Sequence, residues 1–310
     1  MLRSASLSLL VAAACSTTGV SFQPTPVGVA VRADGGLFAD YRADGKRGPV
    51  LWPLCAVGDA AITRAHPLAD VEGERRDHPH HESCWFTHGA VDGVDFWAGS
   101  GEVVAVGEPE MDAAAGILRQ GCEWRRPDGR LVCRDQREYR FRSDAATATR
   151  TIDVSVRVLA AADRELHFGD TKEGTMALRL RNEFCLDGKA GAAGSVVNSE
   201  GVRGKAVWGK AARWVAYSAE LDGVPHVVAM FDAPGNHGHP SHWHARDYGL
   251  FAANPFGLHD FTGAPPGTGD LAIPAGGALT LRYRIWIRRG TATPDELETA
   301  WTEFDAAADR

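Results

Sequence analysis

Apolar and polar residues alternate with period two along much of this chain, and that pattern constrains its fold more than any other feature. Ile152, Val154, Val156 and Val158 alternate with Asp153, Ser155 and Arg157. Neighbouring side chains of a strand point to opposite faces, so the pattern describes a strand with one buried and one wet face. Leu279, Leu281, Tyr283, Ile285 and Ile287 repeat it. Met176, Leu178, Leu180, Phe184 and Leu186 form a third such face, opposite Arg179, Arg181 and Glu183. Shorter strands are expected over 27–32, 102–106, 139–142, 213–218 and 226–231, and 35 glycines and 16 prolines mark turns between them. One helix is signalled at the C-terminus. Thr293 caps it, Pro294 suits its first position, and Glu296 completes a capping box. Leu297, Ala300, Trp301 and Phe304 then share one face, expected to pack over a sheet edge or end. The expected fold is all-β: a large antiparallel β-sandwich with one C-terminal helix, in a single domain over 23–310.

Residues 1–22 read as a leader and linker. One arginine, a short apolar run and small residues before Cys15 fit an export signal, and Ala13-Ala14-Cys15 suits lipid attachment at Cys15. The run is too short to span a bilayer, which takes about 20 apolar residues. The expected location is therefore periplasmic or extracellular, with a possible lipid anchor. The net charge of -7 and the lack of a Lys/Arg block argue against a nucleic-acid partner. Arginines 125, 126, 137, 140 and 142 cluster, and the expectation is a solvated sheet face. Beyond Cys15, the odd set Cys55, Cys84, Cys122, Cys133 and Cys185 specifies no disulfide framework. A turn at 127–129 can bring the strands of Cys122 and Cys133 together, but buried thiols are the default.

Eight of the twelve histidines fall in two loop-like segments, 77–97 and 237–257. A packed core does not require that density, so a site is expected there. His78 and His80 are spaced to share a face of an extended chain, as are His242 and His244. A single divalent metal held by His78, His80 and His244 is one reading; no complete metal signature is present, and no cofactor is otherwise expected. The favoured reading is a sugar site. Tryptophans 85, 97, 208, 214 and 243 flank the polar motifs, and aromatic faces cover the C–H faces of pyranoses. In this reading His80 or His244 donates a proton, and Glu173 or Asp170, in the run FGDTKEG beside Lys172, removes one. Arg179, Arg246 and Lys172 stabilise negative charge. His78, His81, Trp85, His88, Asp95, Trp97, His242, Tyr248 and Asn254 complete the substrate contacts. A non-catalytic sugar-binding module would use the tryptophans and need no acid–base pair.

Four segments carry a family resemblance: DHPHHESCWFTHGAVDGVDFW, FGDTKEG, NSEGVRGKAVWGKAARWV and HWHARDYGLFAANPFG. In this order they resemble the bacterial PmoA-like family, over roughly residues 27–288. The first motif there is commonly DHPHHRxLWFAHG, and Glu82 stands here at the arginine position. The resemblance implies an exported protein of polysaccharide-degrading bacteria, with an architecture similar to galactose-mutarotase-like supersandwiches. The functional expectation is a carbohydrate-active enzyme, with epimerisation, elimination and hydrolysis all open to its acid–base set. The alternatives are a metal-dependent oxygenase or hydrolase and a sugar-binding module.

Overall fold

A computed structural model describes residues 19–45, 47–189 and 191–307; residues 1–18 of the expected leader, Cys15 among them, lie outside the described residues, and its last residues, Val20–Phe22, fall in a strand of the fold. Nearly half of the chain is strand, and every pair of named strands is antiparallel. The first four strands, β1 (Val20–Thr25), β2 (Gly28–Ala33), β3 (Gly36–Arg42) and β4 (Val50–Leu54), form one sheet in chain order. Strand β5 (Cys84–His88) joins β11 (Gly174–Arg179), β16 (Leu250–Asn254) and β15 (His242–Trp243) in a second four-stranded sheet. The largest sheet has eight strands. Its order is β12 (Ser195–Asn198), β13 (Trp214–Leu221), β14 (Val224–Asp232), β18 (Ala278–Arg289), β9 (Thr149–Leu159), β8 (Leu131–Asp144), β7 (Ile117–Arg125) and β6 (Glu102–Asp112). A small pair, β10 (Leu166–Phe168) and β17 (Leu271–Ile273), completes the strands.

One core joins the layers. Ile152, Val154 and Val156 of β9 and Leu281, Tyr283 and Ile285 of β18 meet Phe86, Met176, Leu178 and Phe251 of the second sheet. The alternation read along 152–158 and 279–287 thus faces the interior of a sandwich-like all-β fold. The third apolar face is shorter than expected. Strand β11 ends at Arg179, and a 3-10 turn over Asn182–Phe184 follows, bridged by an Arg181–Glu183 ion pair. A helix that the pattern did not announce, α1 (Leu258–Thr262), follows β16.

The C-terminal helix, α2 (Pro294–Ala307), has the expected capping box: Thr293 N donates to Glu296 Oε2 at 2.8 Å, and Glu296 N to Thr293 Oγ1 at 3.3 Å. Leu297 and Phe304 pack on Trp214, Ala216, Ala229, Phe231 and Trp286, on the outer face of β13, β14 and β18 toward one end of the eight-stranded sheet. Strand β14 is apolar on both faces, and its outer Ala229 and Phe231, with Trp214 and Ala216 of β13 and Trp286 of β18, make an apolar patch that needs a cover. Thr293→Ala is expected to cost about 1 kcal/mol in urea unfolding; an unchanged midpoint would show that the cap contributes nothing.

Two further sequence expectations are settled by side-chain placement. All five described cysteines are buried free thiols, and Cys122 lies opposite Asp135 instead of Cys133. Arg137 is not on a solvated face. It points inward beside Asp135, both side chains fully buried, and donates to Phe86 O across the sandwich. Trp124 Nε1 donates to the same Asp135 carboxylate at 2.7 Å. Arg125, Arg140 and Arg142 do lie outward, each paired with an acidic side chain.

Candidate functional site

The site is built on the outer face of the second sheet. Register places Trp85 beside Ala177 and Ala177 beside Ala252, and these residues form an apolar cluster with Val50, Trp97 and Leu250, separate from the main core. The segment 64–81 is held against this cluster by one side chain. Arg64, 1 % exposed, donates to the carbonyls of His66, Asp77, His78 and His81 and to Asp77 Oδ1. With Arg75 O, which accepts from Nη1 at 3.5 Å, six acceptors on one guanidinium fix where the histidines stand.

Arg179, at the end of β11, meets the same loop. It donates to Asp77 Oδ1 at 2.6 Å and to His81 Nδ1 at 3.0 Å, and lies 4.7 Å from the centre of the Tyr248 ring. An arginine has no acceptor, so His81 Nδ1 must be the unprotonated nitrogen. Burial and Arg179 together hold His81 neutral. Asp77 takes His78 Nδ1 on its other oxygen at 3.0 Å. Burial works against its charge, but Arg179, His78 and Arg64 keep its pKa below the usual carboxylate range. An ionised carboxylate only accepts, so His78 carries its proton on Nδ1, and in the neutral ring Nε2 offers a lone pair. His78, His81 and Tyr248 lie nearly parallel, with centroids 4.9 Å apart for His78–His81 and for His78–Tyr248. His78 has φ +46°, a left-handed conformation that non-glycine residues seldom hold. Its side chain is 40 % exposed. It is thus an oriented imidazole open to solvent.

His80 stands edge-on to His81, centroids 4.4 Å apart. Burial, with His78 and Arg47 adding to it, pushes its pKa down to about 4. Arg47 also donates to the carbonyls of Trp97 and Ala98 and lies 3.9 Å from the buried Glu82. Glu82 is thus a buried acidic partner to a cation.

The second histidine segment reaches this cluster with its C-terminal half only. His237 stacks on Phe256, and His239 bonds Asp232 at 2.9 Å and stacks on Trp301. His242 and His244 both turn to Phe261 of α1, with Trp208 on the same group of rings. Gly209, at φ +71°, lets the chain after Trp208 pass close to Phe261 O, which a Cβ would approach to 3.1 Å. His244 Nδ1 bonds Lys172 O at 3.0 Å, so that nitrogen carries the proton. Burial, with Arg246 and Lys172, brings its pKa down to about 4. Arg246 lies 5.5 Å from the centre of the Tyr248 ring. It therefore joins the His244 and His78 groups. Burial raises the Tyr248 pKa against the pull of Arg246 and Arg179.

Glu173 belongs to this junction. Burial raises its pKa; Asp95 and Asp260 add to the rise, and Lys172, 3.5 Å away, does not offset it. Gly89 allows the contact that seats Glu173: a Cβ there would lie 2.8 Å from Glu173 Cβ.

Several expected contacts have other roles. Asp170 accepts from His259 N and Gly269 N, so its carboxylate clamps loops together. Asp95 Oδ1 takes Trp97 N and Ala98 N and shapes its own turn. Asn254 donates to Thr171 O and accepts from Phe256 N, tying the 170s loop to β16. Trp85 and Trp97 are 1 % and 0 % exposed, buried beneath His81, and cannot stack on a ligand from the surface. Trp214 and Trp243 are buried as well, which leaves Trp208 as the half-buried tryptophan of the group.

His88 is a core residue. It is fully buried against Phe168 and Phe256, donates Nε2–H to Gly169 O at 2.7 Å, and burial lowers its pKa to about 4. The unfolded chain protonates this ring near pH 6.5, so it binds more protons than the folded chain between there and about 4. Stability therefore falls as pH drops through that window, by up to about 3 kcal/mol for this ring. His88→Gln, which keeps a donor for Gly169 O, is expected to lose less stability between pH 7 and 4.5 in urea unfolding. An equal loss in both proteins would show that His88 is not held neutral.

For the metal set, His78 and His80 stand 5.6 Å apart between centroids, and His244 spends Nδ1 on Lys172 O. Among the described residues no group of three or more His, Cys, Asp or Glu is placed to hold a metal ion. A surface cavity of about 470 Å³ lies beside Glu74 and Arg181, but its lining includes none of the histidines. Among the described residues no helix is long and apolar enough to cross a membrane.

Fold and site together define an all-β, sandwich-like protein carrying a histidine, arginine and carboxylate cluster on the outer face of one four-stranded sheet. Its family is settled by comparison. The chain belongs to a family of unknown function, DUF6807, whose model matches residues 28–302. No curated protein matches the chain.

The sequence reading missed Asp77 and Arg64 as working parts. One signal was present: Asp77 opens the histidine run, one residue from His78.

Proposed function

We propose that this cluster is the acid–base centre of a carbohydrate-active enzyme. The observation that carries the reading is the Asp77–His78 hydrogen bond, which orients a half-exposed imidazole beside Tyr248 and leaves its Nε2 without a hydrogen bond among the described residues. A histidine oriented by an anchored carboxylate is suited to take a proton. The electrostatics favour the reverse of the roles first assigned. His80 and His244 are neutral near pH 7 and serve as hydrogen-bonding groups, not as imidazolium donors. Glu173, its pKa raised, is the better proton donor, and His78 the acceptor. Trp208 and Phe261 offer half-buried rings for a pyranose face. With four of the five flanking tryptophans buried, a module that binds sugar by surface tryptophans is the weaker alternative. The resemblance of the four motifs to PmoA-like proteins, and export with a lipid on Cys15, belong to the same reading. The anchor is checked by membrane fractionation of a Cys15→Ser chain.

The test is a screen of oligosaccharides for turnover, repeated with EDTA. His78-dependent turnover that survives EDTA is expected. Binding without turnover would favour the module; a stoichiometric bound metal, with activity lost on its removal, would replace this reading with the metal-dependent one.

A further inference from the structure

Arg246 differs from the other arginines around the site. Arg64 and Arg179 share Asp77, and Arg47 approaches Glu82. The acid next to Arg246 in sequence, Asp247, is taken by Lys205 at 2.8 Å. Among the described residues Arg246 has no ion pair and no side-chain hydrogen bond; the face of Tyr248 is its neighbour. Its position is nevertheless fixed. Arg246 N donates to Leu250 O at 2.7 Å, and its carbonyl accepts from Gly249 N and from the buried Tyr217 hydroxyl. The residue is half-buried; its guanidinium lies over Tyr248 and acts electrostatically on His244, and Tyr248 in turn stacks on His78. A rigidly based, partly desolvated arginine stacked on an aromatic ring is suited to a planar anion such as a carboxylate.

We infer that the ligand is an anionic sugar, a uronate, whose carboxylate is received by Arg246. This rests on the proposed carbohydrate reading and narrows it to one substrate class. Arg246 is then the residue that separates acidic from uncharged sugars. The other cations near the rings are already engaged: Arg179 by Asp77, and Lys172 within 3.5 Å of Glu173 and 4.0 Å of Asp260.

The test is titration calorimetry of the full chain with D-glucuronate and D-galacturonate, against D-glucose and D-galactose. At least one uronate is expected to bind about tenfold or more tightly than its uncharged counterpart. Arg246→Met should abolish that preference while keeping the packing on Tyr248. Lys205→Met, which removes a nearby cation already paired with Asp247, should leave it intact. A preference that persists in Arg246→Met, or that falls equally in Lys205→Met, overturns the inference. Glucose or galactose binding as tightly as the uronates, with binding lost in His78→Asn, overturns it while leaving the carbohydrate reading standing. No binding of any of the four sugars, with no oligosaccharide turned over, overturns both.

Discussion

His78→Asn is expected to lower turnover by about 10²–10⁴-fold, the usual contribution of one positioned proton-transfer group. Asparagine is chosen because it tolerates the left-handed backbone that His78 adopts at φ +46°. Its amide can still donate to Asp77, so the loop need not move. What it lacks is the basic lone pair that Nε2 supplies. The side chain is 40 % exposed and contributes little to the core, so the thermal midpoint should change little. His80→Ala is expected to reduce the rate far less, because that ring is an ordinary hydrogen-bonding contact in this account. If His80→Ala is the inactive variant and His78→Asn keeps full turnover, the assignment of the base is wrong. Initial rates on the oligosaccharide found by screening decide between them.

The largest effect on stability is expected from Arg137→Met, at about 3–5 kcal/mol, the range for stranding one member of a buried ion pair. Asp135 would keep the bond from Trp124 Nε1 but lose the guanidinium that neutralises it in the core. The link from Arg137 Nη2 to Phe86 O, which joins β8 to β5, would go with it. The double variant Asp135→Leu, Arg137→Met should recover much of the loss, because the stranded charge is removed as well. Urea unfolding of the two single variants and the double gives the coupling directly. Additive losses would show that the pair is not coupled.

This pair also illustrates what the sequence conveyed. Cys133, Asp135, Arg137, Tyr139 and Phe141 share one parity along β8, and the structure buries all five. The alternation therefore pointed inward for Arg137. The charge misled, because two opposite charges two residues apart on one face neutralise each other. In the same way, the periods at 152–158 and 279–287 announced strands whose faces the core confirms. The outer face of β14 did not announce its cover, because a strand that is apolar on both sides loses the alternation that reveals a face.

Histidine density picked out two loops that the structure brings partly together through Tyr248, but it could not rank the rings. His88 lies among the same motifs as His78 and is a core residue, since β5 alternates its faces through 84–88 and sends His88 against Phe168 and Phe256. Asp170 and Glu173 stand three residues apart in one loop. One is captured by backbone N–H groups and the other is drawn to the rings. Only the long-range partners separate such neighbours. Arg64 reaches Asp77 from 13 residues away and Arg179 from 102, beyond any local motif.

The central claim is that Asp77 holds His78 with its Nε2 free to meet a sugar. Nitrogen-detected NMR of the ¹⁵N-histidine-labelled full chain near pH 7 tests it most directly, with and without D-galacturonate or D-glucuronate. The account predicts a His78 that carries a proton on Nδ1, with the Nε2 resonance moving on addition of at least one of the sugars. A His78 protonated on Nε2 instead, or an Nε2 resonance unmoved by a sugar that calorimetry shows to be bound, would contradict it.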